Sequence, residues 1–289
     1  MRTAAAGLVV GTSDSGAGRP IEAAARRTAH ARGIAIAAIE DYAGNYCDVA
    51  DSQTTVLIAE STLSAELYAR RLGARCPPIE VFPPARYDSY RRQSERLRSS
   101  TRASWGGTSA KRVLWAGQPE SADCLETLRR IAPALRNLDV EVLIKTHPRD
   151  PLHLKGDYEE LLATFGISVD DVSALSVAAS LQLAPQLLIT QFSSVAIEAG
   201  FFGIPSLHVL FEDVGGRRLQ IKKGYSTPTH CRSGAGFVMT TRDHALETMH
   251  EALYDEAARE AVIAQFDTVF AIRELIAPRL AARLSEILQ

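Results

Sequence analysis

Residues 187–209, LLITQFSSVAIEAGFFGIPSLHV, constrain the fold more than any other stretch. Leu187, Leu188 and Ile189 form an unbroken apolar run, as expected of a parallel strand buried on both faces. A polar break follows, from Thr190 to Ser194, and then the apolar spacing turns helical at Val195, Ala196, Ala199 and Phe202. Gly203 stops that helix, Pro205 prevents its restart, and residues 207–210 read as the next strand. Strand, turn, helix and strand in this order call for a parallel sheet with crossover helices. Ser193 and Ser194 fall where the helix begins. Either they cap it, or they bind an anion there, most often a phosphate, together with the free N–H groups and the positive end of the helix dipole.

The rest of the chain repeats the alternation. Residues 4–10 read as a strand and are followed by the Gly/Ser-rich loop GTSDSGAGR. Pro20 suits the first turn of a helix over residues 21–32, and Gly33 ends it. Strands are expected at 34–39, closing on Glu40-Asp41, at 54–59 and at 79–82, with a helix at 63–72. Residues 83–107 break the pattern with Pro83-Pro84, an arginine-rich run at 91–98 and Gly106-Gly107, and read as an interdomain connection with room for a helix. The alternation then resumes. Strands are expected at 112–116, 140–144 and 237–239, and helices at 122–135, 158–165, 177–183, 245–254 and 269–288. Residues 212–236 read as a long loop beside a ligand. The expected architecture is α/β: a short Rossmann-like parallel-sheet domain with its linker, residues 1–105, and a second Rossmann-like domain, residues 106–289.

Composition narrows the function. At 46% hydrophobic and 23% charged, the 289 residues suit a soluble protein with a full core. A net charge of -2 argues against nucleic-acid binding by bulk electrostatics. The arginine run lacks interleaved aromatics and reads as a solvated helix face. No apolar run reaches membrane-spanning length, and residues 8–10 are too short for a signal-peptide core, so a cytoplasmic location is expected, with peripheral membrane contact left open. Cys47, Cys76, Cys124 and Cys231 lie far apart with no CxxC pair, so neither a zinc site nor a disulfide framework is expected.

Ligands of open parallel sheets collect at the carboxyl ends of the strands. In the second domain those ends carry Gly117-Gln118, then Lys145-Thr146-His147-Pro148-Arg149, then Gln191 to Ser194, then Glu212 onward. A histidine after a strand often makes only a local hydrogen bond. Here it shares an edge with two serines and two cations. His147 can supply an N–H, Lys145 and Arg149 charge, and the serines hydroxyl and backbone N–H groups to a phosphate or diphosphate.

The segments KTHPRD and ITQFSSVAIEAGFFGIPSL resemble the His-Pro and Ser-Ser motifs of bacterial sialyltransferases, capsule glycosyltransferases and CDP-glycerol glycerophosphotransferases. The resemblance extends through GAGFVMTTRDHALETMHEAL and covers residues 111–288. It implies the GT-B fold, two Rossmann-like domains with a cleft between them, and it implies that His147, Ser193 and Ser194 hold the phosphate of a nucleotide-activated donor. Gly117, Gln118, Lys145, Arg149 and Gln191 join the donor site by their place on the same edge. Glu198 lies one turn past the serines, where related enzymes use an acidic residue on a ribose; it reads equally as a helix-surface carboxylate. The first domain is shorter than usual for the fold, as though it began partway through. In sialyltransferases a carboxylate in an acidic-acidic-Gly motif is the general base, and Glu40-Asp41-Tyr42-Ala43-Gly44 resembles an interrupted version of that motif. Asp41 is then the candidate base, with Glu40 its rival. Ser13 and Asp14 are acceptor-side candidates, and Asp48 is a further rival on the same edge.

The expected activity is transfer of a sugar, or a polyol phosphate, from a CMP-, CDP- or UDP-activated donor to an acceptor hydroxyl of a glycan or small molecule, as in polysaccharide biosynthesis. No cofactor is expected, and the lack of an Asp-x-Asp motif points to a metal-independent enzyme. Two alternatives stand beside it. One is a nucleotide-sugar 2-epimerase or hydrolase, similar to UDP-N-acetylglucosamine 2-epimerase. Those enzymes carry a Ser-Gly-Gly turn where this chain has Phe192-Ser193-Ser194-Val195. The other is a degenerate, non-catalytic protein that binds nucleotide or glycan.

Overall fold

The computed structural model describes residues 7–12, 18–49, 52–105 and 110–288. The elements run β1 (Gly7–Val10), α1 (Gly18–Ala31), β2 (Ala35–Ile39), β3 (Val56–Ala59), α2 (Thr62–Leu72), β4 (Ile79–Val81), α3 (Asp88–Trp105), β5 (Arg112–Ala116), α4 (Ser121–Asn137), β6 (Glu141–Lys145), α5 (Asp157–Ala163), β7 (Val169–Asp171), α6 (Val177–Gln182), β8 (Leu187–Thr190), α7 (Val195–Phe201), β9 (Ser206–Val209), α8 (Gly215–Lys223), α9 (Thr229–Arg232), β10 (Phe237–Met239), α10 (Ala245–Tyr254), α11 (Glu256–Val269) and α12 (Ile276–Ile287). The described strands form two sheets, ordered β1-β2-β3-β4 and β10-β9-β8-β5-β6-β7, and every pairing is parallel. The fold class is therefore α/β, as the alternation implies.

Strand alternation sends successive side chains to opposite faces, and both faces of the second sheet are covered. Val113, Trp115, Val142, Ile144, Leu187 and Ile189 pack with Leu128 and Ile131 of α4, Leu162 of α5 and Met249 of α10. Leu114, Leu143 and Leu188 face the other way, against Leu97 of α3, Leu181 of α6 and Ala196 and Ala199 of α7. Gly203 ends α7 with φ at 74°, a conformation that glycine adopts without strain.

The chain divides into two compact units at boundaries that differ from the sequence expectation. The described residues up to Ser89 group with those from Arg273 onward, and Tyr90–Ile272 form the second unit. Two packing needs account for this. Ala37, Val56 and Ile58 of the first sheet need cover on the face away from α1 and α2, and Leu280 of α12 supplies it. Asp88 fixes the start of α12, accepting from the amides of Ile276 at 3.1 Å and Ala277 at 2.8 Å. The arginine run, for its part, is amphipathic rather than wholly solvated. Arg91 is buried and donates to the Phe270 carbonyl at 2.8 Å, and Arg98 forks onto Asp267 at 2.6 and 3.0 Å.

Three further departures concern elements. Residues 212–236 are not one long loop but contain α8 and α9. The closing helix expected over 269–288 begins later, as α12; α11 precedes it where no helix was expected, and the chain turns between the two at Ala271, whose φ is 46°. β7 was not expected at all. No helix among the described residues is long and apolar enough to cross a membrane.

Leu280→Ala removes a side chain that is 7% exposed, and it should lower the unfolding free energy by about 2–5 kcal/mol in denaturant titration. A change below about 0.5 kcal/mol would mean that α12 is not part of the first unit's core.

Candidate functional site

From β5 the chain steps to β6 and β7 on one side, then returns to lay β8 on the other. Ala116 therefore registers with Lys145 on one flank and Thr190 on the other. A reversal of this kind opens a crevice outside the carboxyl ends of the strands, where ligands of such sheets bind. The Gly117 amide donates to the Lys145 carbonyl at 2.9 Å, and a β-carbon at 117 would lie 3.6 Å from the His147 amide nitrogen. The loops after β5 and β6 are thus in contact.

His147 is half-buried, and its Nδ1 accepts from the Arg149 amide at 3.0 Å. With Nδ1 so engaged, the neutral ring carries its proton on Nε2. Burial, and then the Arg149 charge, hold the imidazole below its ordinary pKa, so near neutral pH it is an uncharged Nε2–H donor. The loop behind it is fixed. The Asp150 amide donates to the His147 carbonyl at 2.8 Å, and buried Asp150 accepts from the Leu152 amide and the Tyr158 hydroxyl. The Thr146 amide donates to Ser173 Oγ at 2.9 Å.

The two serines play different parts. Ser193 Oγ accepts from the Val195 amide at 3.3 Å and so caps the turn. Ser194 Oγ is half-buried and has no partner among the described residues. Gln118 is 7% exposed, and its Nε2 is buried with no partner among the described residues.

Two expected donor-site residues are occupied with the fold. The Lys145 ammonium donates to the carbonyls of Ser173 and Leu175, and burial lowers its pKa. The Gln191 amide donates to Asp123 O at 3.1 Å and Thr127 Oγ1 at 2.7 Å, both on α4. Glu198 accepts from Tyr90 Oη at 2.5 Å and faces the Lys145 charge. Arg149 is exposed.

In the first unit, strand alternation separates Glu40 from Asp41. Glu40 is buried and accepts from the amides of Gly44 and Glu60, each at 2.9 Å, and from the hydroxyls of Ser64 and Tyr68. Asp41 is exposed, with Oδ1 accepting from Thr12 Oγ1 at 2.7 Å and Asn45 Nδ2 at 2.9 Å. Asp48 is exposed and pairs with Arg75 at 3.2 Å. Ser13 and Asp14 lie outside the described residues. The sequence reading missed Thr12 and Asn45, which orient Asp41, and Ser173, which steadies the loop after β6. Thr12 and Asn45 adjoin stretches that drew notice for other residues, Ser173 has no motif around it, and each reaches its partner through a contact that spacing does not reveal.

No protein-family model matches the chain, and no curated protein matches it. Solved structures do match. UDP-GlcNAc 2-epimerase from Neisseria meningitidis, bound to UDP-GlcNAc, aligns with a TM-score of 0.61 at 14% identity over 96% of this chain and 76% of that one. A protein described as a putative UDP-N-acetylglucosamine 2-epimerase, from Listeria monocytogenes, aligns at 0.56, with 13% identity over 92% of this chain and 70% of that one. The wall teichoic acid polymerase TagF aligns at 0.49, with 15% identity over 88% and 68%. At these identities the epimerase likeness is one of fold, and it bears out the GT-B-like pair of parallel sheets.

The carboxylates should separate by stability. Glu40→Gln turns an NH2 group toward buried donors and should cost about 1–3 kcal/mol. Asp41→Asn should stay within about 0.5 kcal/mol, as exposed substitutions do. Equal losses in parallel thermal melts would contradict this division.

Proposed function

We propose that the second unit binds the phosphate end of a nucleotide-activated donor through Gln118, His147 and Ser194. We further propose that the chain transfers the donor's sugar, or polyol phosphate, to an acceptor hydroxyl. The observation that carries this reading is the unmet hydrogen-bonding capacity, among the described residues, along one strand-end edge: a buried amide N–H at Gln118, a hydroxyl at Ser194, and an imidazole whose tautomer leaves an Nε2–H. Donors fixed before the reaction stabilise charge as it develops, without reorganising.

In the proposed reaction, the acceptor oxygen attacks the donor carbon or phosphorus as the bond to the leaving phosphate breaks. The leaving phosphate gathers negative charge and takes hydrogen bonds from His147 Nε2–H, Ser194 and Gln118. The proton of the acceptor hydroxyl passes to a carboxylate, for which Asp41 is the candidate because its Oδ2 has no partner among the described residues. Arg149 lends positive charge, and Ser193 holds the turn that presents Ser194.

A 2-epimerase or hydrolase is the second reading, favoured by the fold likeness to an enzyme bound to UDP-GlcNAc. Incubation with UDP-GlcNAc, CDP-glycerol and a CMP-sugar in the absence of acceptor separates the readings. Slow donor hydrolysis supports transfer, isomerisation supports epimerisation, and binding without turnover supports a non-catalytic protein.

Ser194→Ala should weaken nucleotide binding in calorimetry by about 1–3 kcal/mol and leave the melting temperature in place. Unchanged affinity removes Ser194 from the site.

Asp41→Asn should slow transfer several hundredfold or so with donor affinity intact, within the range of general-base loss. Transfer at the wild-type rate would end its candidacy.

His147 carries a pH prediction. Its folded pKa is depressed, so the neutral form persists as pH falls to the ordinary imidazole value of about 6.5 and charges only below it. Protonation would place a second N–H on Nδ1, against the Arg149 amide. Ring-nitrogen NMR should find the His147 midpoint below about 6.5; a midpoint above that value would mean an imidazolium serves the phosphate.

A further inference from the structure

Among the described residues, His208, His230 and Cys231 gather into a buried cluster whose ligating atoms lie within 4.8 Å of one another. The sequence gives no sign of it. His208 lies on β9, and the other two lie on α9, in the stretch expected to be loop. The two imidazole Nε2 atoms are 3.2 Å apart. A tetrahedral ion holding two imidazole nitrogens at about 2.0–2.1 Å would separate them by roughly 3.3 Å.

Three surrounding features fit a metal site. His208 Nδ1 lies 3.0 Å from the Gln191 carbonyl and donates its N–H there, which leaves the Nε2 lone pair turned to His230. Metal-ligating imidazoles commonly anchor their other N–H to a backbone carbonyl in this way. Ser206 Oγ sits 3.3 Å from His208 Nε2. A β-carbon at Gly236 would lie 3.0 Å from Ser206 Oγ and 3.1 Å from Cys231 Sγ, so glycine keeps the space between them open. A shared N–H between the rings accounts for the 3.2 Å separation, but not for the thiol or the glycine beside it.

We propose that His208, His230 and Cys231 bind a thiophilic d10 metal ion, with the Ser206 hydroxyl beside it. On binding, Cys231 releases its thiol proton to solvent, His230 carries its N–H on Nδ1, and both Nε2 lone pairs and the thiolate join the ion. The mixed nitrogen and sulfur set suits Zn(II) and Cu(I) alike. One thiolate neutralises Cu(I) fully and leaves a single positive charge on Zn(II). The ion would tie β9 and α9 to the loop after β8 through His208 and the Gln191 carbonyl. It takes no part in the transfer chemistry.

The test uses the whole chain, stripped with a chelator and titrated with Co(II) under anaerobic conditions. One Co(II) per chain should bind with a sulfur-to-metal charge-transfer band and raise the melting temperature. Cys231→Ser should lose the band with its circular dichroism unchanged, and His208→Gln should weaken binding at least about tenfold. Zn(II) and Cu(I) are then added as competitors: displacement of Co(II) by either supports the site and identifies the ion, and displacement by neither overturns the proposal. If the wild-type chain shows no charge-transfer band, or if the band persists in Cys231→Ser, the proposal fails. The wild-type titration decides even where a variant does not fold.

Discussion

Gln191 is 1% exposed, and it is the point at which three elements are joined. Its side-chain amide donates twice to α4, at Asp123 O and Thr127 Oγ1, and its backbone carbonyl accepts from His208 on β9. An unmet polar group at that depth would cost about 1–3 kcal/mol, so these bonds fix the loop after β8 in one position. Backbone geometry nearby adds to the constraint. A β-carbon at Gly215 would lie 2.9 Å from the Val209 carbonyl and 3.2 Å from Gln191 Cγ, so only glycine lets α8 begin so close to β9. Ser193 and Ser194 are therefore presented by a rigid support, and a site built this way binds or catalyses without reorganising.

The same loop shows where the sequence is legible and where it is not. Apolar runs such as Leu187 to Ile189 report burial on both faces directly, and Gly203 with Pro205 marks the end of α7, so the strand-turn-helix-strand unit was readable. β7 was not. It is a short edge strand carrying Asp170 and Asp171, with neither apolar alternation nor β-branched bias beyond Val169. α8 was hidden by its paired glycines and by basic residues, which read as loop although the glycines serve close packing. The return of α12 to the first unit was invisible for another reason: an amphipathic helix shows that it needs a partner but not which sheet provides one.

For the candidate site, residue type and strand-end position were legible, but hydrogen-bond assignment was not. Gln191 and Lys145 have the chemistry of phosphate ligands, yet their donors are taken by α4 and by the carbonyls of Ser173 and Leu175. The adjacent serines look interchangeable in sequence, but the turn engages Ser193 and leaves the Ser194 hydroxyl without a partner among the described residues. The metal-capable cluster lies further still from view, because Ser206, His208, His230, Cys231 and Gly236 meet only once β9, α9 and the start of β10 are packed together.

Glu40 and Asp41 show how one residue of register decides between a carboxylate consumed by the fold and one held at the surface. In β2 the side chains alternate, so the strand end must turn one carboxylate inward and the other outward. The inward one, Glu40, has both oxygens met by protein donors: Gly44 N–H and the Tyr68 hydroxyl at Oε1, Glu60 N–H at Oε2, and the Ser64 hydroxyl within reach of both. A proton arriving there would meet groups that already point protons at it, so Glu40 is poorly placed to act as a base. Its charge has a visible consequence at Tyr68, whose phenol is pushed well above its ordinary range by burial first and by Glu40 second. Among the described residues, Asp41 has only Oδ1 engaged, by Thr12 and Asn45. Those two bonds fix the carboxylate's orientation while Oδ2 keeps its lone pairs. Orientation by one oxygen with the other left open is what the proposed general-base role would require. A shift of one residue in the end of β2 would exchange the two roles.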